Sequence, residues 1–196
     1  MPVVDLEVTL VDLPYEVKRR LTVPVAIKLT DLHMVMQVAM GWDNSHLYDF
    51  VCGKGRKAHR WSDYDELVDE YEHKMKSDTL ADVLAAMGKL KFFTYTYDMG
   101  DSWEHDLCPG KPREAAAGEA VIAMHSADGA CPPDDSGGAP GFSYMLDCVD
   151  DPSSDDHEEY LEWLGGPFDR VANELALKVG VARLAKRWAK RYPVAG

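Results

Sequence analysis

The sequence predicts an α+β fold: a single mixed β-sheet with a β-grasp-like ββα start, crossed by a helix, with further helices at the C-terminal end. Three observations carry this. Two apolar runs of period two stand side by side near the N-terminus, a run of helical period follows them, and an aromatic hairpin pattern occupies mid-chain.

Val4, Leu6, Val8 and Leu10 alternate with polar residues, the pattern of a half-buried strand. Asp12-Leu13-Pro14 breaks it, and Val17, Arg19, Leu21 and Val23 alternate again up to Pro24, so the two runs form a hairpin. Thr30 reads as the N-cap of a helix through Met40, with Leu32, Val35, Met36, Ala39 and Met40 on one face and Gly41 as its stop. His46–Cys52 suits a third strand, closed by Gly53-Lys54-Gly55. Tyr64, Leu67, Val68, Tyr71 and Met75 keep helical spacing within an acidic segment, and Thr79–Leu84 reads as a short capped helix. The hairpin is Phe92–Leu107. Phe93, Tyr95 and Tyr97 share a face, the turn Asp98-Met99-Gly100-Asp101 places Gly100 at positive φ, and Trp103, His105 and Leu107 share a face on the returning strand. Residues 109–127 and Ala130–Gly141 read as irregular loops.

Two amphipathic helices follow, marked by Phe142, Met145, Leu146 and Val149, then by His157, Tyr160, Leu161 and Leu164 before Gly165-Gly166. The last helix sets an apolar stripe (Leu177, Val181, Leu184, Ala185, Trp188) against a basic one (Arg183, Lys186, Arg187, Lys190, Arg191). Residues 1–169 thus read as one α+β domain and 170–196 as a basic amphipathic extension.

Charge and cysteine usage narrow the function classes. The net charge of −13 divides unevenly: residues 170–196 carry 7 Lys/Arg against 1 Asp/Glu, and residues 1–169 carry 14 against 33. A body at −19 repels a phosphate backbone, so nucleic acid is expected only through the basic C-terminal helix. That helix can also contact an acidic partner or the chain's own acidic body, and its tether to the body favours the last. No apolar run reaches membrane-spanning length, so no membrane contact is expected. The start lacks a basic segment before an apolar one and the four cysteines form no C-x-x-C pair, which places the protein in the cytoplasm with reduced thiols. Nucleotide-binding glycine motifs and zinc-ribbon spacings are absent, so nucleotide cofactors and structural zinc ribbons lack support.

Asp98, Asp101 and His105 fall within eight residues on a turn and a strand, and carboxylates with imidazole suit a divalent metal or a general base. His33 and His46 stand where they can converge with His105, and Trp103 lies beside it. The loop supplies Cys131, Asp134 and Asp135. The plain structural reading is that the aspartates bond their own turns and that His105 packs beside Trp103 on a sheet face. The DDSGG run imitates a serine-protease loop, but neither an earlier His block nor a double barrel accompanies it. The loop is expected to lie over the hairpin, with Asp134 or Asp135 near His105 and Trp103.

Four blocks, in order, resemble the plasmid pRiA4b ORF-3-like family, also described as insertion-element passenger proteins of TnpR type: VKRRLTVP (17–24), LTDLHMVMQVAMGWDNSHLYDF (29–50), YTYDMGDSWEHDL (95–107) and ACPPDDSGGAPGF (130–142). The helix EEYLEWLGGPFD (158–169) is similar too. The resemblance implies an α+β domain from bacteria, plasmids and mobile elements, with no established activity. It also marks departures: Lys18 replaces a usual Trp, Met99 a usual Phe, and Ser136 and Met124 usual cysteines, so a metal or disulfide held by those cysteines in relatives would keep only Cys131 here. Two functions follow as expectations. One is a non-enzymatic binding or accessory module of mobile elements with a protein partner. The other is a metal-dependent hydrolase or nuclease using Asp98, Asp101, His105 and the loop acids.

Overall fold

The computed structural model describes residues 1–62, 72–75 and 77–194. The two N-terminal runs pair as the antiparallel strands β1 (Pro2–Leu10) and β2 (Val17–Pro24), with Val4 opposite Val23 and Leu10 opposite Val17. Seven further strands join them: β3 (Tyr48–Cys52), β4 (His59–Ser62), β5 (Glu72–Lys74), β6 (Phe93–Tyr97), β7 (Trp103–Pro109), β8 (Arg113–Glu114) and β9 (Ala123–Asp128). Among the described residues they make one sheet in the order β5-β4-β3-β6-β7-β1-β2-β9, with β8 paired to β1 off that path. All pairs are antiparallel except β4 with β5, so the sheet is mixed, as the sequence predicts.

The pleat explains the core. Val4, Leu6, Val8 and Leu10, then Tyr95, Tyr97, Trp103, His105 and Leu107, are all buried, while Glu7, Thr94, Glu104 and Asp106 alternate with them at the surface or half-buried. Arg19 obeys the same alternation, so it is fully buried between Val17 and Leu21. Helix α1 (Leu29–Met40) lies on this inner face: His33 Nδ1 and Gln37 Nε2 both bond the Tyr95 hydroxyl, at 2.7 and 3.0 Å.

Helices α2 (Leu80–Met87), α3 (Gly138–Asp150), α4 (His157–Leu164) and α5 (Glu174–Arg187) complete the fold, α5 packing on α1 and β9. Past α5, Arg191 Nη1 donates to both oxygens of Asp31 (2.6 and 2.7 Å) and the Tyr192 hydroxyl donates to one of them (2.6 Å). The tail is thereby tied to the first turn of α1.

Five expectations need correction. Helix α1 begins at Leu29, one residue before the Thr30 expected as its N-cap, because the Asp78 carbonyl accepts the Leu29 N–H and Lys28 bridges Thr79. The helix read over Tyr64–Met75 lies mostly outside the described residues, but its last stretch, Glu72–Lys74, is strand β5. Residues 109–127 include β8 and the start of β9. Strand β9 escapes a period-two reading because a bulge between Arg20 and Leu21 in the pairing leaves its buried residues, Met124 and Ala127, three apart. Helix α3 starts at Gly138, not Phe142, with Pro140 in its first turn where a missing N–H is harmless. Positive φ in the hairpin falls on Asp98 (58°) and Ser102 (54°), not on Gly100.

Candidate functional site at the hairpin tip

The five residues joining β6 to β7 fold back on themselves. Asp98 Oδ1 accepts from the N–H groups of Gly100 (2.8 Å) and Asp101 (3.4 Å), and the Asp98 carbonyl accepts from Ser102 (2.7 Å). Asp98 is 8 % exposed, and its second oxygen faces His46, with Nδ1 3.6 Å away. The loop before α3 reaches the same tip. Gly137 N–H donates to Asp101 Oδ2 (3.0 Å), and Gly138 (φ 66°) sits so close that a Cβ there would be 2.5 Å from the Asp101 carbonyl oxygen. Asp135 then brings Oδ1 to 3.2 Å from His46 Nε2. Asp134 Oδ2 accepts from the Asp43 N–H at 3.4 Å, and Trp42 Nε1 holds the loop through the Pro132 carbonyl at 2.9 Å.

Three separate segments thus meet at His46: the connection after α1, the hairpin tip and the loop. One nitrogen of His46 and one oxygen each of Asp98 and Asp135 lie within 4.8 Å of one another. Burial pushes the Asp134 carboxyl up, whereas hydrogen bonds from Ser45 and Asp134 hold neighbouring Asp43 down. His46 Nε2 and Asp134 Oδ1 are out of contact with solvent and without a hydrogen bond. A cluster of one imidazole and several carboxylates has the donor chemistry for a divalent cation.

The other expected site residues are placed differently. His105 is completely buried, its Nδ1 bonded to the Tyr95 carbonyl at 3.1 Å, and burial lowers its pKa to about 4. The structure therefore groups Asp98 with His46 and Asp135, and leaves His105 in the core against Trp42, edge to face at 5.4 Å. Trp103 is 1 % exposed and packs in that core. His33 stacks on Tyr48 at 3.5 Å and also bonds Asn44 Oδ1 through Nε2. So the three histidines do not converge. Asp101 serves the loop, as above. Cys131 lies under Arg19, and burial pushes its thiol up to about 11. The loop does pack on the hairpin, but its acids meet His46 and Asp43, away from the place expected beside His105. Asp43 was missed by sequence reasoning, and only its position three residues before His46 in a polar connection hints at it.

Beside this cluster, the loop and α4 enclose a cleft of about 490 Å³ lined by Asp135, Ser136, Gly137, Asp156, Glu159, Tyr160 and Trp163. Tyr144, Tyr160 and Trp163 form an edge-to-face series, with ring centroids 6.2 and 6.5 Å apart. On α5 and just past it, Arg183, Lys186, Arg187 and Lys190 are exposed, and among the described residues none is in an ion pair; Arg191 alone of the basic stripe meets the acidic body. No helix among the described residues is long and apolar enough to cross a membrane.

The family model described as plasmid pRiA4b ORF-3-like protein matches residues 2–176. The chain is 38% identical over 194 residues to an uncharacterised protein, y4hQ, of Sinorhizobium fredii, covering 96% of this chain and 95% of that one. It is also similar in fold to the crystal structure of MM3350, a protein of unknown function from Methanosarcina mazei, with a TM-score of 0.68 and 27% identity, over 88% of this chain and 95% of the other. The ordered blocks, the one-sheet α+β architecture and these matches agree, and the chain belongs to the plasmid pRiA4b ORF-3-like family.

Proposed function

We propose that the protein is a non-enzymatic binding module whose cleft between the 135–137 loop and α4 takes a basic segment of a protein partner. The observation that carries this reading is the pairing of half-exposed Trp163 and Tyr160 with three carboxylates, Asp135, Asp156 and Glu159, on one open cleft. Aromatic faces and carboxylates together favour guanidinium and ammonium groups, and an acidic body raises the local concentration of cations around them. The buried position of His105 supports binding over acid–base chemistry, since a sealed imidazole cannot reach a substrate. The family's plasmid-derived description supports a role accessory to mobile DNA. Four free thiols support a reducing, cytoplasmic setting.

Calorimetric titration with a short arginine-rich peptide tests the reading, using a citrulline version of the same peptide as control. The arginine peptide should bind, and Trp163→Ala should weaken it about fivefold, equivalent to roughly 1 kcal/mol of cation–π attraction. Equal binding of the citrulline peptide, or indifference to Trp163→Ala, would overturn it.

A further inference from the structure

We propose that His46, Asp98 and Asp135 form a binding site for a borderline divalent transition-metal ion of the zinc or manganese class. The site shares Asp135 with the cleft of the basic-peptide reading but does not rest on that reading, because neither the aromatic series nor α4 contributes to it.

The geometry is that of convergence from three directions. Asp98 is fixed from behind: two backbone N–H groups hold its Oδ1, which leaves Oδ2 directed at His46. Asp135 approaches the imidazole at Nε2 on a loop anchored by Gly137 and Trp42. One His46 nitrogen and one oxygen from each carboxylate lie within 4.8 Å of one another, a spread that ligands closing on one small cation can span. In the protein alone the arrangement is unsatisfied. His46 Nε2 lies away from solvent with no hydrogen bond, although an imidazole nitrogen in such a place ordinarily finds one. Asp134 adds a second unpartnered buried oxygen on the same loop. A cation accepting the lone pair of His46 Nε2 removes the first of these deficits.

The donor set indicates which cation. One nitrogen and two carboxylate oxygens suit zinc, manganese or iron(II); calcium and magnesium prefer sites made of oxygen alone. Three protein ligands leave positions for water, and the high exposure of the Asp135 side chain (74 %) places those positions outward. The ion would act as a clasp joining the 42–46 connection, the hairpin tip and the loop.

The test is calorimetry on chelator-treated full-length protein without a His-tag, with Zn²⁺, Mn²⁺, Ca²⁺ and Mg²⁺ titrated separately. The proposal expects saturable binding of one Zn²⁺ or Mn²⁺, weakened tenfold or more by His46→Gln and by Asp135→Asn. The ¹⁵N resonances of the His46 ring should shift on Zn²⁺ addition. Asp135→Asn alters an exposed side chain, so it remains informative if His46→Gln fails to fold. No saturable Zn²⁺ or Mn²⁺ binding, binding unchanged by Asp135→Asn, or equal affinity for Ca²⁺ and Mg²⁺ would overturn the site, the last because it would mark diffuse attraction to an acidic surface.

Discussion

Arg19 Nη2 donates to the sulfur of Cys131 at 3.1 Å, one of five hydrogen bonds made by a guanidinium that has no solvent exposure. The other four go to the carbonyls of Ala39, Lys18, Asp128 and Gly129. Among the described residues no carboxylate pairs with it. One side chain therefore joins the last turn of α1, the end of β9 and the root of the loop. Arg19→Met keeps the volume but leaves these carbonyls buried without donors. It should destabilise by about 3 kcal/mol or more, read as a fall in the urea midpoint.

The same contact predicts thiol reactivity. Cys131 is half-buried against Arg19 with its pKa pushed up to about 11, and Cys52 and Cys148 are buried, whereas Cys108 is exposed. Burial of its surroundings also raises the Cys108 thiol somewhat, so its alkylation should accelerate above the ordinary thiol range. Brief treatment of native protein with iodoacetamide, followed by mass spectrometry, should label Cys108 and spare the other three. Labelling of Cys131 at a comparable rate would contradict its placement.

Gly138 carries the close approach of loop to hairpin. Alanine there meets both a φ of 66° and a carbonyl oxygen 2.5 Å from its Cβ. Gly138→Ala should cost about 2 kcal/mol, from strain and displacement together. Gly118 has a φ of 78° with open space around it, so Gly118→Ala isolates the strain at about 1 kcal/mol. Equal effects in denaturant titrations would show that the loop does not rest on Asp101.

His105 sets an acid limb of stability. Its folded pKa is about 4 against an ordinary value of 6.5, owing first to burial. Between those values the unfolded chain binds a proton that the folded chain refuses, so stability rises with pH across the window. It is complete above about pH 6.5 and falls toward pH 4, by about 3 kcal/mol from this group. His105→Asn should flatten the difference between urea midpoints measured at about pH 7 and about pH 4.5. An unchanged difference would assign the acid limb to other groups.

The strands were legible where side chains alternate cleanly. Val4–Leu10, Val17–Val23 and the aromatic hairpin fall where period two puts them, including Arg19, which the alternation placed on the apolar face before any partner was visible. Strand β9 was not legible because its bulge breaks the period, and Thr30 misled because the real start of α1 is capped by backbone from a distant segment. The site was half legible. His46, Asp98 and Asp135 were among the candidates, but local crowding at Asp98, Asp101 and His105 suggested a grouping that the fold does not bring together. The strand pleat sends His105 inward, whereas the side chains that meet, His46, Asp98 and Asp135, come from three parts of the chain.

The Asp31 carboxylate is nearly sealed and takes its hydrogen bonds from Arg191 and Tyr192, 160 and 161 positions later. On a ribosome adding about 5–20 residues per second, α1 is made roughly 8–30 s before those partners exist. Throughout that interval the carboxylate keeps its water, and the first turn of α1 is held only by the burial of Leu29 and Leu32 and by the Asp78 carbonyl. Nascent chains arrested before Arg191 should therefore be cut by protease near residue 31, while chains extended past Tyr192 should resist.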